Sequence, residues 1–599
     1  MINAREIIDI YISFFEKRGH KRIGNSPLIP ENDPTTLFTS SGMQPLVPYL
    51  LGEPHPLGKR LVNVQNCFRA VDIEEVGDGR HETFFRMLGN WSLGDYFKQE
   101  EIPWFWELLT KEFRLPREKL YITVFKGYAD IGPDDSSALI WEEVLKKEGI
   151  DSKKRIFFAD VDKNWWSKSG EPKNMPIGEI GGPDTEIYYR FDDNLVNHEK
   201  ECKDNPVDCV CGKFMEIGNA VFMQYRKRDE KTFEELPQKN VDYGGGIERL
   251  LAAVENNPDV FQTTLFSSII QSIELTTGKD YSDHKKEMQI ICDHLVASVF
   301  IAAENIKPSK NEQGYILRRL LRRSFDNFES LGGKDLLPVI EKIVEQYKDT
   351  DPVLEEKFEE IKLTILEEQQ TYKKTVDEAI KVLSKKADDS TAVVKEISAG
   401  DAFKIYSSHG LSPTQIRSLG YVFDQQEFAK KMEEHQKLSR EGSKRLFKGG
   451  LADESEKTIT GHTATHLLHQ ALKDVLGEKV NQAGSNITNE RIRFDFTYPE
   501  KLTDQQISDV EELVNDKIKD NLKVTCEIMP YERAKKIGAT ALFQKKYEKD
   551  IKVYFIGNYS TEICGGPHVD FTGRLKSFKI IKQENIGRNL RRIYAKVSD

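Results

Sequence analysis

Residues 241–251 read Val241-Asp-Tyr-Gly-Gly-Gly-Ile-Glu-Arg-Leu-Leu251, a pattern that predicts a glycine-rich turn opening a helix. Gly244 and Gly246 have no side chain, so the backbone there can approach a ligand closely. Arg249 then falls in the first turn of the helix, where its side chain can meet a nucleotide. Taken alone, this pattern is more often a plain turn than a ligand site.

A second segment, upstream of the first, predicts a long β-hairpin. The strand Leu61–Arg69 leads through a polar loop to the aromatic-rich return Arg80–Asn90. The guanidinium of Arg69 can hold a phosphate bidentately, and Phe85 or Phe84 offers a ring on which adenine can stack. The two segments together predict a nucleotide site on an antiparallel sheet.

These segments resemble motifs 2 and 3 of class II aminoacyl-tRNA synthetases, and their wording is similar to the alanyl-tRNA synthetase family in particular. The segments that match, in the expected order, are Asn32-Asp-Pro-Thr-Thr-Leu-Phe-Thr39, Gly42-Met43, Thr83–Asn90, Gly94–Phe97, Asn219–Gln224 and Val241-Asp242. The resemblance covers essentially the whole chain. It implies an α+β fold, in which a class II antiparallel sheet with flanking helices precedes a helical tRNA-recognition domain and an α+β zinc-containing editing domain.

A chain of 599 residues is too long for one hydrophobic core, so several domains are expected. Changes in the residue pattern along the chain predict a catalytic domain at 1–250, a helical domain with its linker at 251–455, and an editing domain at 456–599. The linker is too short for the β-barrel that is usual in the family. The chain also ends directly after the editing domain, so we expect a monomer or weak oligomer with reduced tRNA affinity.

The resemblance implies a role for each matching residue of the first domain. Arg69 would neutralise the α-phosphate of ATP while the carboxylate of alanine attacks it, Arg249 would meet the other side of the nucleotide, and Asp242 would accept the ammonium group. The expected ATP-binding residues are Arg69, Arg80, Phe84, Phe85, Glu216, Gly244, Gly246 and Arg249, with Glu216 also a candidate Mg²⁺ ligand. The expected alanine pocket consists of Trp166, Asn219, Val221 and Asp242. The simpler alternatives are that Trp166 is a core residue and that Asp242 caps a helix.

His462 and His466 lie four residues apart in a predicted helix, which places both imidazoles on one face at a separation suited to a shared metal. Far downstream, Cys564 and His568 lie on a glycine-rich loop, and the four side chains together form a plausible zinc-ligand set. His469 competes for a ligand position, because it lies only about 60° around the helix axis from His466. The family wording favours the pair four residues apart.

This C-terminal region resembles the editing domain of the same family, which would hydrolyse serine or glycine wrongly attached to the alanine tRNA. Such a domain answers a physical need, because a pocket for a methyl group distinguishes these amino acids by only about 1–3 kcal/mol. Gln482 is a candidate contact to the substrate. We therefore expect an ATP-dependent alanine–tRNA ligase with its own editing site, using zinc and magnesium. The alternatives are a zinc-dependent deacylase with a non-functional synthetase domain, and a synthetase-like RNA-binding protein.

Four further residues crowd into one turn-rich loop and form a candidate second zinc site: His198, Cys202, Cys209 and Cys211. A set of reduced surface thiols is an equally good interpretation.

The net charge of −11 is unusual for a protein that binds nucleic acid, but basic clusters occur along the chain. Arg318-Arg319 and Arg322-Arg323 recur at helical spacing, and Arg588-Arg591-Arg592 forms a second cluster. Either cluster is equally typical of a solvated surface. The resemblance implies that Asn311 reads the acceptor stem, whereas Ser407 stands where the family has an aspartate, so the arginine helix is an alternative route to tRNA.

Two features of the sequence predict a cytosolic protein. No apolar run approaches the roughly 20 residues needed to cross a bilayer. Glu6 and Asp9 occupy positions where a signal peptide has its basic and apolar regions.

Overall fold

The computed structural model describes residues 2–30, 36–196, 205–230, 232–386, 395–409, 411, 413–434, 455–477, 480–488, 491–541, 550–587 and 590–598. The chain divides into two compact units, Met1–Lys381 and Val382–Asp599. The predicted catalytic domain and most of the predicted helical domain lie together in the first unit. Among the helices described, none is both long and apolar enough to cross a membrane.

The first unit is built on a nine-stranded sheet. Its strands are β1 (Lys21–Arg22), β2 (Arg60–Phe68), β3 (Phe84–Leu93), β4 (Leu120–Phe125), β5 (Ile156–Ala159), β6 (Trp165–Ser167), β7 (Ile180–Arg190), β8 (Phe214–Lys227) and β9 (Phe233–Gly246). The strand order is β1-β2-β3-β9-β8-β7-β4-β5, and β6 pairs with β7. Only the pairs β1–β2 and β4–β5 are parallel. The predicted α+β fold with an antiparallel sheet is confirmed, and so is the hairpin that β2 and β3 form.

The helices of this unit are α1 (Ala4–Glu16), α2 (Val47–Leu50), α3 (Lys98–Glu107), α4 (Asp135–Lys147), α5 (Ile247–Glu255), α6 (Ser267–Thr277), α7 (Lys285–Ala303), α8 (Glu312–Ser330), α9 (Leu337–Tyr347), α10 (Val353–Glu356) and α11 (Phe358–Lys386). Helix α7 is buried along almost its whole length, because apolar residues surround its axis. One hydrophobic core runs from Ile7 in α1 to Tyr372 in α11 and contains residues of both strands and helices. This shared core explains why sheet and helices form one unit.

Strand β3 shows which face of the sheet carries the helices. Phe84 is buried, and its ring stacks on Phe300 of α7 with the ring centroids 3.9 Å apart. Successive side chains of a strand point to opposite faces, so Phe85 and Trp91 lie on the other face. We call the face that bears Phe85 and Trp91 the site face.

The three glycines at 244–246 end strand β9 and do not form a turn. They pair with Gly89, Leu88 and Met87 of β3, and α5 begins at the next residue, Ile247. The prediction of a turn is wrong because the pairing partner lies more than 150 residues upstream and leaves no local signal. The expected place of Arg249 in the first turn of the helix is confirmed.

The second unit contains two four-stranded sheets, β12-β13-β19-β18 and β14-β16-β17-β15, and a two-stranded pair, β10-β11. Its strands are β10 (Lys395–Glu396), β11 (Tyr421–Val422), β12 (Gln482–Ile487), β13 (Ile492–Thr497), β14 (Val524–Pro530), β15 (Thr540–Ala541), β16 (Asp550–Ile556), β17 (Ser560–Ile563), β18 (Phe578–Gly587) and β19 (Leu590–Val597). Its helices are α12 (Ala399–His409), α13 (Pro413–Ser418), α14 (425–434), α15 (Glu456–Leu476), α16 (Asp504–Lys519) and α17 (Tyr531–Lys536). Side chains of α15 and α16 share a hydrophobic core with one face of the first sheet.

Candidate active site and metal centre

Asp242 lies buried on the site face of β9, directly opposite Trp91 of β3. The indole Nε1 of Trp91 donates a hydrogen bond to Oδ1 of Asp242 at 2.7 Å. Burial raises the pKa of Asp242 to about 7, although the bond from Trp91 acts in the opposite direction. A buried carboxylate is stabilised by a neighbouring cation, so this position suits the ammonium group of a ligand.

The ring of Trp91 forms part of an apolar wall beside this carboxylate. A Cβ atom at Gly89 would lie 2.2 Å from the ring, so only glycine leaves room for the indole. Met43 and Val221 belong to the same apolar cluster, and Trp166 packs against it. The structure thus brings Val221, Trp166 and Asp242 together as predicted. Trp91 was not predicted from the sequence as a site residue, although its position on an aromatic-rich strand could have indicated it.

Asn219 lies on the same face of β8 as Val221. Its Nδ2 donates to Oδ2 of Asp184 at 3.3 Å, and Asn164 donates to the other oxygen of Asp184 at 3.0 Å. The Oδ1 atom of Asn219 is buried and has no hydrogen-bond partner among the described residues. This oxygen is therefore a second acceptor that a polar ligand can satisfy.

Arg69 follows the last residue of β2. Its Nε donates to the backbone oxygen of Ser40 at 3.2 Å, and its Cζ lies 4.8 Å from the centroid of the Phe85 ring. This cation–π contact joins the two side chains that were predicted to hold a phosphate and an adenine. A Cβ atom at Gly246 would meet only the side chain of Arg249, at 3.9 Å, so the glycine leaves open space.

The predicted contact of Phe84 with the nucleotide is wrong. Phe84 is buried in the helical core on the opposite face of the sheet. Strand alternation allows only one of two adjacent side chains on the site face, and that residue is Phe85. Arg80 lies in the loop before β3, where its Nη2 approaches Oδ2 of Asp78 at 3.6 Å.

Carboxylates surround Arg249. Its Nη1 donates to Oε2 of Glu216 at 3.2 Å. Burial raises the pKa of Glu82 despite the nearby Arg249, and burial together with Glu216 raises the pKa of Glu186. Glu82 and Glu186 were not predicted from sequence. Carboxylate oxygens are the ligands that Mg²⁺ prefers, and a cation here would relieve the repulsion between Glu216 and Glu186.

Four side chains of the second unit converge as a candidate metal centre: His462, His466, Cys564 and His568. One potential ligand atom from each lies within 4.8 Å of the others. The Sγ atom of Cys564 is 3.4 Å from Nε2 of His462 and 3.4 Å from Nε2 of His568. Three imidazoles and one thiol at such spacing fit tetrahedral zinc.

A second layer of contacts orients these imidazoles. Nδ1 of His462 is hydrogen-bonded to the backbone oxygen of Pro567 at 3.1 Å, whereas Nδ1 of His466 lies 3.3 Å from Oε2 of Glu562 without forming a hydrogen bond. Such partners fix the ring that a metal binds and select its tautomer. His469 pairs with the other oxygen of Glu562 at 3.2 Å and lies outside the cluster. The structure thus favours the pair four residues apart.

The remaining predicted metal and editing residues are placed only in part. The Sγ atoms of Cys209 and Cys211 are 3.4 Å apart. His198 and Cys202 lie outside the described residues, as does part of the segment that begins at Asn32, so the second metal site stays a prediction. Gln482 begins β12, and its Nε2 donates to Oγ of Ser485 at 3.1 Å.

The arginines predicted to contact tRNA all lie on helix α8, for which Asn311 is the N-cap residue. Arg319 and Arg323 both pair with Glu74 of the loop after β2, the latter at 2.9 Å. Arg322 pairs with Glu368 at 2.9 Å. Arg318 forms no ion pair with the described residues, so it is the most available of the four cations.

Residues 6–490 match the family of class II tRNA synthetases (A), and residues 551–594 match the second additional domain of threonyl and alanyl tRNA synthetases. The alanine–tRNA ligase of Treponema denticola is 45% identical over 610 residues, which cover 99% of each chain. This chain belongs to the alanine–tRNA ligase family. The alanine–tRNA ligase of Borreliella burgdorferi is 42% identical over 604 residues, covering 98% of each chain. That of Acetivibrio thermocellus is 30% identical, covering 99% of this chain and 79% of its own.

Proposed function

We propose that this protein activates alanine with ATP, transfers the alanyl group to the 3′ end of tRNA(Ala), and hydrolyses Ser-tRNA(Ala) and Gly-tRNA(Ala) at a separate site. The observation that carries the proposal is the buried Asp242, held by Trp91 beside an apolar wall. A carboxylate of this kind binds an ammonium group, and the wall leaves the small side chain of alanine in apolar surroundings. The protein acts in the cytoplasm, where tRNA and ATP are available.

In the activation step, an oxygen of the alanine carboxylate attacks the α-phosphorus of ATP, and pyrophosphate leaves. Asp242 and Asn219 hold the ammonium group, so the carboxylate points away from the apolar wall towards the nucleotide. Arg69 binds the α-phosphate as its negative charge grows, and Phe85 supports the adenine. This chemistry depends on positioning and on charge stabilisation, so no nucleophile from the protein is needed.

Magnesium accompanies ATP in this proposal. Glu216 and Glu186 would hold it, since Glu216 lies beside Arg249 and the pKa of Glu186 is raised by burial and by Glu216. A bound divalent cation neutralises phosphate charge.

Zinc is the metal that the second unit would hold, through His462, His466, Cys564 and His568. When bound, it supplies a Lewis acid or a point of attachment for the substrate. The backbone oxygen of Pro567 would orient His462, and the carboxylate of Glu562 lies 3.3 Å from His466. Gln482 is the proposed contact to the mischarged amino acid, and the helix bearing Asn311 and Arg318 would bind the tRNA acceptor stem.

The proposal is tested by ATP–pyrophosphate exchange without tRNA, using alanine, serine, glycine and the other amino acids. We expect exchange to be strongest with alanine, weaker with serine and glycine, and about 10²–10³-fold lower in Arg69→Ala, the cost of losing a charge-stabilising donor. Arg5→Ala is the control, because it removes an exposed arginine of helix α1 that has no assigned role in the site. No exchange with any amino acid, combined with hydrolysis of Ser-tRNA(Ala), would instead identify an editing hydrolase.

The hydrogen bond from Trp91 to Asp242 leads to a separate prediction. We expect Trp91→Phe to raise KM for alanine about 10-fold with little change in kcat, because a hydrogen bond to a charged group contributes about 1.5–3 kcal/mol. The measurement is pyrophosphate exchange over a range of alanine concentrations. Trp106→Phe is the matched control, since Nε1 of Trp106 is buried without a partner among the described residues. An unchanged KM in Trp91→Phe would show that the indole only fills space.

A further inference from the structure

The sheet β12-β13-β19-β18 has one face packed against helices and one face exposed. Phe494 and Ile593 lie on the packed face, in the core with α15 and α16. In the strand register, Lys579 faces Lys596, and Tyr594 lies between Lys582 and Arg493. Alternation places these five residues together on the exposed face. We call the surface formed by these five residues and Arg491 the basic face.

The charges of the basic face work against the stability of the sheet. Lys579 and Lys596 are exposed and directly opposite each other, and like charges in that position destabilise a strand pair. The ring of Tyr594 adds further cations, with Nζ of Lys582 at 4.5 Å and Cζ of Arg491 at 5.0 Å from its centroid. A bound polyanion would offset this repulsion.

A cavity of about 440 Å³ continues the basic face at its edge. Five basic side chains and one acidic side chain line it, and Arg491 and Lys596 belong to both the cavity and the basic face. Thr460 and Gly461 also line the cavity, and the next residue in the chain is His462 of the metal centre. The positive surface therefore extends to the helix that carries two of the candidate metal ligands.

Part of this positive charge is neutralised within the protein. Arg574 pairs with Asp570 at 2.6 Å, Lys582 pairs with Glu584 at 2.6 Å, and Arg493 approaches Asp495 at 3.7 Å. Among the described residues, Arg491, Lys576, Lys579 and Lys596 form no ion pair. A chain with a net charge of −11 concentrates unpaired cations here, which indicates a ligand with several negative charges.

We propose that the basic face and its cavity bind the phosphodiester backbone of RNA and guide the acylated end of tRNA to the metal centre. This inference rests on the proposed hydrolysis of mischarged tRNA by the same unit. Lysines and arginines bind successive phosphates and release counterions, so the contribution depends strongly on salt. Tyr594 is a positioning residue that holds Arg491 and Lys582 through its ring.

The test measures binding of uncharged tRNA(Ala) to the full chain by fluorescence anisotropy at several salt concentrations. We expect Lys579→Ala combined with Lys596→Ala to raise Kd about 10-fold and to lower the magnitude of the slope of log K against log salt by about 1.4–1.8, the loss of two phosphate contacts. Lys517→Ala combined with Lys519→Ala is the matched control, on the helix that covers the other face of the sheet. Equal Kd and salt slope in the two double variants would overturn the proposal.

Two further readouts separate this inference from the proposed function. In deacylation of Ser-tRNA(Ala), the Lys579/Lys596 double variant should raise KM and leave kcat within about twofold, with pyrophosphate exchange unchanged. Tyr594→Leu should weaken tRNA binding and Tyr594→Phe should restore it, whereas equal weakening in both would contradict the role of the ring. If the parent chain hydrolyses no mischarged tRNA, the proposed function fails. The binding measurements alone then show whether the basic face binds RNA.

Discussion

Asp242→Asn is expected to lower kcat/KM for alanine in pyrophosphate exchange by about 10²–10⁴-fold. Removing one partner of a buried charge pair costs about 3–5 kcal/mol, and every 1.36 kcal/mol is about tenfold. Asparagine keeps the shape of the side chain, and its oxygen can still accept the hydrogen bond from Trp91. Only the charge that faces the ammonium group is lost, so the variant isolates that charge.

The pH dependence provides an independent check on Asp242. Burial raises its pKa to about 7, and only the carboxylate form binds an ammonium ion well, so kcat/KM for alanine should fall as pH decreases through that value. This inflection should be missing in Asp242→Asn. Asp326→Asn is the matched control, because burial also raises the pKa of Asp326 to about 7 and its partner is the hydroxyl of Tyr372. Similar losses in both variants would indicate a general effect of removing a buried carboxylate.

Cys564→Ala is expected to lower deacylation of Ser-tRNA(Ala) by at least about 100-fold, while pyrophosphate exchange with alanine stays unchanged. Even second-layer partners of a metal affect affinity or activity about 10–100-fold, and Cys564 is itself a candidate ligand, 3.4 Å from two imidazoles. The two activities should separate because the residues assigned to activation lie in the other unit. Metal content measured by elemental analysis should fall together with deacylation.

Cys526→Ser is the control for this substitution, since Cys526 is an exposed thiol on β14 that does not belong to the ligand cluster. It should retain both metal and deacylation. Thermal unfolding of Cys564→Ala with and without added zinc distinguishes a lost ligand from a misfolded unit. Full deacylation in a Cys564→Ala protein that contains no metal would contradict the assignment of the centre.

Local spacing in the sequence was sufficient for several parts of the site. His462 and His466 lie on one face of a helix because 3.6 residues complete a turn, and α15 has that helical form. The hairpin that carries Arg69 and Phe85 could be predicted because turn residues separate two runs of strand-forming residues. The order of several motifs predicted the family, which the comparisons confirmed.

Other parts depended on contacts between residues that are distant in the sequence. Phe84 and Phe85 are equivalent by composition, and only the packing of Phe300 on one face of β3 separates them. His469 lies outside the cluster because Cys564 and His568, from a distant loop, lie beside His462 and His466. The glycines at 244–246 gave the wrong local structure because β3 supplied the hydrogen bonds that a turn would otherwise have made internally.

The sequence by itself therefore determined the family and the antiparallel sheet and supplied the candidate residues of both proposed centres, because helix and strand periods and motif order are local properties. Only the tertiary structure decided that Trp91 forms a hydrogen bond with Asp242 and that Glu74 forms ion pairs with Arg319 and Arg323. It also decided that residues of separate strands form the basic face. Each of these contacts joins residues far apart in the chain. The physical reason is that the burial of a side chain and the charges around it depend on which elements pack together. The spacing of residues along the sequence does not specify that packing.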